Sequence, residues 1–100
     1  MIARIWHGTV PVEKADRYLE LMRTVAIPDY RRIPGNKAAL VLQRSEGGLV
    51  HFTTFTLWES MDAIRTFAGD DAERAKYYDF DREFLTELEP TVRHFDAFDR

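Results

Sequence analysis

The stretch Lys37-Ala38-Ala39-Leu40-Val41-Leu42-Gln43-Arg44, Ser45-Glu46-Gly47-Gly48, Leu49-Val50-His51-Phe52-Thr53-Thr54-Phe55-Thr56-Leu57-Trp58 decides the fold. Two β-prone runs flank a polar tetrapeptide whose glycines can take the positive φ that a tight hairpin requires. The stretch is therefore predicted to be an antiparallel hairpin. A sheet with one wet face alternates cleanly between apolar and polar residues, and these strands do not. In the second run Leu49, Phe55 and Leu57 point one way while Val50, Phe52 and Trp58 point the other; in the first, Leu40 and Leu42 oppose Ala39 and Val41. Both faces of the sheet need cover.

Upstream of the hairpin, Ile2 to Val10 reads as a strand that Pro11 ends. A helix follows, with Ala15, Tyr18, Leu19, Met22, Val25 and Ala26 on one apolar stripe at three- and four-residue steps. Pro28 is expected to stop it, leaving Asp29 to Asn36 as a loop back to the sheet. Downstream, Ser60 reads as an N-cap, Met61, Ile64 and Phe67 as one helical face, and Gly69 as the C-terminal stop. Asp70 to Leu88 is polar with aromatic islands and is expected to form one or two short helical turns, broken near Asp79 to Asp81. Pro90 introduces a last strand, Thr91 to Phe98.

The resulting order, β-α-β-β-α-β, is that of an α+β ferredoxin-like domain spanning residues 1–100, a four-stranded antiparallel sheet with helices on one face. The two right-handed crossovers leave the other face bare in a monomer. A bare apolar face of this size is unusual in a soluble monomer, and covering it gains several kcal/mol at roughly 25 cal/mol per Å². A second copy of the chain packed sheet to sheet is the simplest cover, and a heterologous partner is the alternative.

A chain of 100 residues with 45% hydrophobic content builds one core. Its net charge of -3 comes from mixed charges without a basic stripe, so neither nucleic acid nor an anionic membrane is an expected partner. The absence of cysteine excludes disulfides, thiolate metal sites and thiol nucleophiles, and suits a reducing cytoplasm. The N-terminal residues run straight into patterned sequence, without a stretch apolar enough for a signal peptide or membrane span.

Several residues are candidates for chemistry. Arg4 and Trp6 share one phase of the first strand, where a guanidinium beside an indole can clamp a planar anion; an edge ion pair is the plainer role for Arg4. His94, His7 and His51 fall on three adjacent strands of a 4-1-3-2 sheet and converge if their phases agree, as a proton-transfer or metal site. No second-sphere acid is identifiable for them, so no metal is assigned, and His7 or His94 alone as general base is preferred. Tyr77, Tyr78 and Phe80 lie where a lid over the space between helices and sheet belongs, and they serve equally as core closure. Trp58, at a strand-to-helix junction, either plugs the core with its N–H on a carbonyl or lines a pocket. Asp70-Asp71-Ala72-Glu73-Arg74 reads as a cap and solvated face.

Three short strings carry a resemblance across nearly the whole chain: Leu57-Trp58-Glu59-Ser60, Ile33-Pro34-Gly35 and Val92-Arg93-His94-Phe95. Together they resemble the antibiotic biosynthesis monooxygenase (ABM) superfamily, whose members are dimeric α+β barrels. They include cofactor-independent oxygenases of polycyclic phenols, quinol oxygenases, haem-degrading enzymes and proteins without assigned activity. The phenol oxygenases' pocket tryptophan is matched by Trp58, whereas their strand asparagine falls at Thr54, their helix tyrosine at Ile64 and their arginine near Tyr78. The haem-degrading branch's axial histidine falls at Tyr77 and its distorting tryptophan at Phe67. The resemblance thus implies a homodimeric oxygenase needing neither metal nor organic cofactor and acting on a small aromatic phenol or quinol. His7 or His94 would serve as base and Arg4 as the anion-stabilising cation. Trp6, His51, Thr54, Trp58, Tyr77 and Tyr78 would form the substrate walls. A non-catalytic ligand-binding or stress-related domain of the same fold is the alternative.

Overall fold

The computed structural model describes residues Met1–Arg100. Four antiparallel strands, β1 (Ile2–Pro11), β2 (Asn36–Glu46), β3 (Leu49–Trp58) and β4 (Arg93–Asp96), form one sheet in the order β2-β3-β1-β4. The hairpin β2-β3 turns at Gly47 and Gly48, both at positive φ (60° and 82°), so the turn is two residues long and both strands extend to meet it. The helices are α1 (Ala15–Leu21), α2 (Ile27–Arg31), α3 (Met61–Ala68) and the single turn α4 (Asp81–Phe84). The order expected from the sequence is the order observed.

Pro28 does not stop the first helix. A π-helical segment, Met22–Ala26, joins α1 to α2, and the Ile27 N–H reaches back five residues to the Met22 carbonyl. In a regular α-helix the Pro28 ring meets the carbonyl four residues earlier; the wider turn moves that carbonyl aside, and the missing proline N–H falls in the first turn of α2. The loop is correspondingly shorter than Asp29 to Asn36. The extra residue also rotates the stripe: Ala15, Tyr18, Met22 and Ala26 are buried while Val25 turns outward.

Side α3 follows its sequence signals. Ser60 Oγ accepts the Ala63 N–H at 3.1 Å, and Gly69 closes the helix at φ 91°. The span from Gly69 to Val92 is mostly irregular; α4 is its one helical turn, and Arg74 and Thr91 form an isolated bridge. The last strand is four residues rather than Thr91 to Phe98.

Helices and the irregular span cover one sheet face, where Val10, Tyr18, Phe52, Trp58 and Ile64 are buried at the centre of the core. On the other face the register sets Ile5, Phe55 and Leu40 side by side in one row, with Ala3, Leu57 and Phe95 in the next rows. Leu40, Leu42 and Phe95 are each about half exposed there. The two-sided pattern read from the hairpin is thus real: one apolar face is covered by helices, the other is open. No helix is long and apolar enough to cross a membrane.

Candidate active site

On the covered face the pairing register makes two rows. Strand partners place His94, Arg4, Thr56 and Ala39 across all four strands, and Trp6, Thr54 and Val41 across three. Tyr30 from α2, Phe67 from α3 and Lys76 and Val92 from the irregular span close over these rows. They leave a cavity of ≈ 10 Å³ lined also by Arg4, Trp6, Thr54 and Thr56, room for about one water molecule.

Arg4 is the centre of this site. Its side chain is buried, yet its partners are uncharged: Nη1 donates to the Ala72 carbonyl and meets His94 Nε2 at 3.1 Å, and Nη2 donates to the Arg74 carbonyl at 3.1 Å. The ion pairs of the molecule all lie elsewhere, so the edge ion pair considered for Arg4 does not form. Burial pulls the guanidinium below its ordinary value, partly offset by the nearby Tyr30 hydroxyl. An arginine stays protonated and has no acceptor, so His94 Nε2 must be the acceptor and its ring neutral with the proton on Nδ1. Burial first, and then the Arg4 charge, lower the His94 pKa from the usual 6.5.

Around this pair the site is aromatic. Phe67 lies beneath the Arg4 guanidinium (5.9 Å) and the Lys76 ammonium (4.3 Å), and packs edge-on to Tyr30 at 4.9 Å. Burial pushes the Tyr30 hydroxyl up to about 12, against the opposing pull of its Thr54 hydrogen bond and of Arg4. Trp6 donates its indole N–H to Tyr77 Oη at 3.3 Å, and the Tyr77 hydroxyl donates in turn to the Glu89 carbonyl at 2.5 Å.

The other expected site residues are dispersed. Trp58 is wholly buried behind Phe67 and donates to the Thr56 hydroxyl at 2.8 Å, so it plugs the core rather than lining the cavity. Tyr78 stacks on Phe80 and donates to Asp29 at 2.6 Å, fastening the irregular span to α2. The three histidines do not converge. His94 faces the helices, whereas His7 and His51 face the open side, because Arg4 to His7 is an odd number of residues and side chains alternate across a strand. There His7 joins Glu89 (2.8 Å) through Nδ1 and His51 Nδ1 (2.9 Å) through Nε2. His7 is therefore not a base for the covered site, and His51 is not one of its walls.

Sequence reading missed Tyr30, Thr56, Lys76 and Asp81; Asp70, Asp71, Glu73 and Arg74 are exposed as expected of a solvated face, but the Ala72 and Arg74 carbonyls of that stretch hold Arg4. Asp81 is buried, accepting from the Tyr18 hydroxyl at 2.8 Å and the Tyr78 N–H at 2.7 Å; burial raises its pKa and those donors pull it back. A hydrophobic stripe identified Tyr18, but no local pattern announces a carboxylate 63 residues away as its partner. A larger open groove of ≈ 520 Å³ runs beside β2 and includes Leu19, Arg23, Ile27 and Arg31. It is a trough along an unpaired strand edge, and the convergent buried polar groups lie in the smaller space.

Solved structures of similar shape identify the architecture. A protein described as an antibiotic biosynthesis monooxygenase from Nitrosomonas europaea superposes with a TM-score of 0.75 at 15% identity, covering 98% of this chain and 90% of that one. One from Deinococcus radiodurans gives 0.68 at 21%, covering 100% and 95%. This chain has the ABM fold. No protein-family model matches the sequence, and no curated protein matches it.

The ABM fold also includes a MhuD mutant with two manganese protoporphyrin IX bound per active site, which superposes with a TM-score of 0.60 at 18% identity over 97% of this chain and 94% of that one. The residues here do not fit a porphyrin. Tyr77 Oη, at the position the sequence resemblance aligns with a haem ligand, is engaged by the Glu89 carbonyl and the Trp6 N–H. Phe67 is packed among Tyr30, Trp58 and the Lys76 ammonium, so it fills the place of the distorting tryptophan as a core residue.

Proposed function

We propose that this chain is an ABM-type oxygenase of a small phenolic or quinol substrate, acting without metal or organic cofactor as a homodimer joined through its open sheet face. The observation that carries the reading is the Arg4–His94 pair, an always-charged cation 3.1 Å from an imidazole held neutral, in an aromatic-walled space. Once a substrate oxygen draws the Arg4 Nη1–H away from His94 Nε2, the freed lone pair of the neutral imidazole can take the phenol proton, and the guanidinium meets the oxygen on which negative charge develops. The deprotonated ring passes one electron to O₂, while Trp6, Phe67 and Tyr77 orient it and keep water out. A cavity of ≈ 10 Å³ is too small for an aromatic ring as it stands, so the irregular span must move for substrate to enter.

That small volume favours a second reading, a ligand-binding domain of the same fold without chemistry. Oxygen-electrode assays with anthrones and reduced naphthoquinols separate the two. The oxygenase reading expects uptake above the protein-free rate, reduced about a hundredfold or more in His94→Gln, the scale of one general base. No uptake with any member of the panel overturns the oxygenase reading and favours the binding module.

A further inference from the structure

The guanidinium of Arg4 points to the class of ligand, an inference that rests on the site assigned above. Its two terminal nitrogens each hold one main-chain carbonyl, Ala72 from Nη1 and Arg74 from Nη2. These acceptors come from alternate residues of one strap and engage the end of the guanidinium fork. One oxygen on each of the two terminal nitrogens is the arrangement by which an arginine grips a carboxylate or a chelating oxyanion. The carbonyls carry only partial negative charge, however, and no carboxylate pairs with Arg4. The buried cation is thus hydrogen-bonded but not neutralised, and the Lys76 ammonium, also over the Phe67 ring, adds to the positive character of the closed space.

We propose that the strap Asp71–Lys76 is a built-in stand-in for the ligand, and that the ligand is a planar aromatic anion with two neighbouring oxygens, such as an ortho-hydroxy carboxylate, which displaces the Ala72 and Arg74 carbonyls from Arg4. The strap is suited to this exchange. It contains no regular helix, and it is fastened through Ala75 N–H to the Pro90 carbonyl, Val92 N–H to the Glu73 carbonyl and Lys76 Nζ to the Phe67 carbonyl. Letting it go breaks few bonds and leaves the sheet intact. Ring and charge are then matched separately, the ring by Trp6 and Phe67 and the two oxygens by the fork. Movement of the strap also opens the volume that an aromatic ring needs.

The probe is 1-hydroxy-2-naphthoate, compared with its methyl ester, which has the same ring and no charge. Fluorescence titration of the full chain is expected to show the acid binding about tenfold or more tightly than the ester, the scale of one charge-assisted pair. In Arg4→Met that preference disappears, with circular dichroism reporting that the variant is folded; the wild-type comparison stands whether or not it folds. Hydrogen exchange adds a readout of the displacement: on binding, the amides of Ala75 and Val92 should lose protection while those of β1 and β3 keep theirs. Equal affinity for acid and ester, no binding of either, or unchanged protection at Ala75 and Val92 overturns the proposal. Binding is measured without turnover, so absence of oxygen uptake alongside tight acid binding rejects only the oxygenase reading. Uptake with a neutral quinol but no binding of the naphthoate rejects only the anion.

Discussion

Arg4 and His94 are cross-strand neighbours, and their proximity ties the site to pH. His94 has a folded-state pKa below the ordinary 6.5, so between those values the unfolded chain binds the extra proton. Stability should therefore rise with pH up to about 6.5 and then level, and acidification through that window should weaken the fold. Chemical denaturation of the wild type and of His94→Gln between pH 5 and 8 checks this, because the variant should lack that part of the slope. Asp81 gives a second prediction. Its carboxylate receives the Tyr18 hydroxyl and the Tyr78 amide, and Asp81→Ala strands both buried donors. A loss of about 2 kcal/mol is expected, since each unsatisfied donor costs about 1–3 kcal/mol and relief from burying a charge offsets part of it. Urea unfolding measures it, with Asp81→Asn losing less because one acceptor oxygen remains.

Among the elements, the turn before β2 shows how tightly the covered face is assembled. Gly35 has φ 93°, and a Cβ built there would lie 2.6 Å from Ala63 Cβ on α3. Gly35→Ala is expected to cost about 2–4 kcal/mol, from left-handed backbone strain together with overpacking. Adding Ala63→Gly should recover the packing share but not the backbone share, which thermal unfolding of the single and double variants resolves. The Ile33-Pro34-Gly35 string is therefore a packing device in this chain, setting α3 against the start of β2. Helix α1 and its continuation teach the converse. Pro28 signals a stop by local rules, and only the π turn accommodated within the packed helix lets the chain run on to Arg31. That continuation places Tyr30 over Thr54 and Arg4, so the wrong boundary and the missed site residue have one cause.

For the whole molecule the decisive surface is the open sheet face. The row Ile5, Phe55 and Leu40, extended by Leu57 and Phe95, is a contiguous apolar patch on the side away from the helices. Sedimentation of the wild type should report a dimer. Replacing Phe55 with Glu should yield a monomer, because the buried charge gains no partner at the centre of the interface. The covered face does not contact this patch, so naphthoate binding should survive in that monomer to the extent that the sheet remains folded. A wild type that sediments as a monomer at micromolar concentration removes the dimer from the proposed function.

The sequence by itself determined the element order, the hairpin, the caps of α3 and the two greasy sheet faces, because each is written in residues close along the chain. It also placed Arg4 and Trp6 in one phase, since alternation within a strand is a local rule. Tertiary structure alone decided which faces His51 and His94 share with the residues of β1, that Trp58 lies behind Phe67, and that the strap carbonyls satisfy a guanidinium 68 or more residues away. Those relations depend on strand register and on where an irregular span comes to rest. Both are fixed by the sum of many weak contacts across the domain, which no short window of sequence contains.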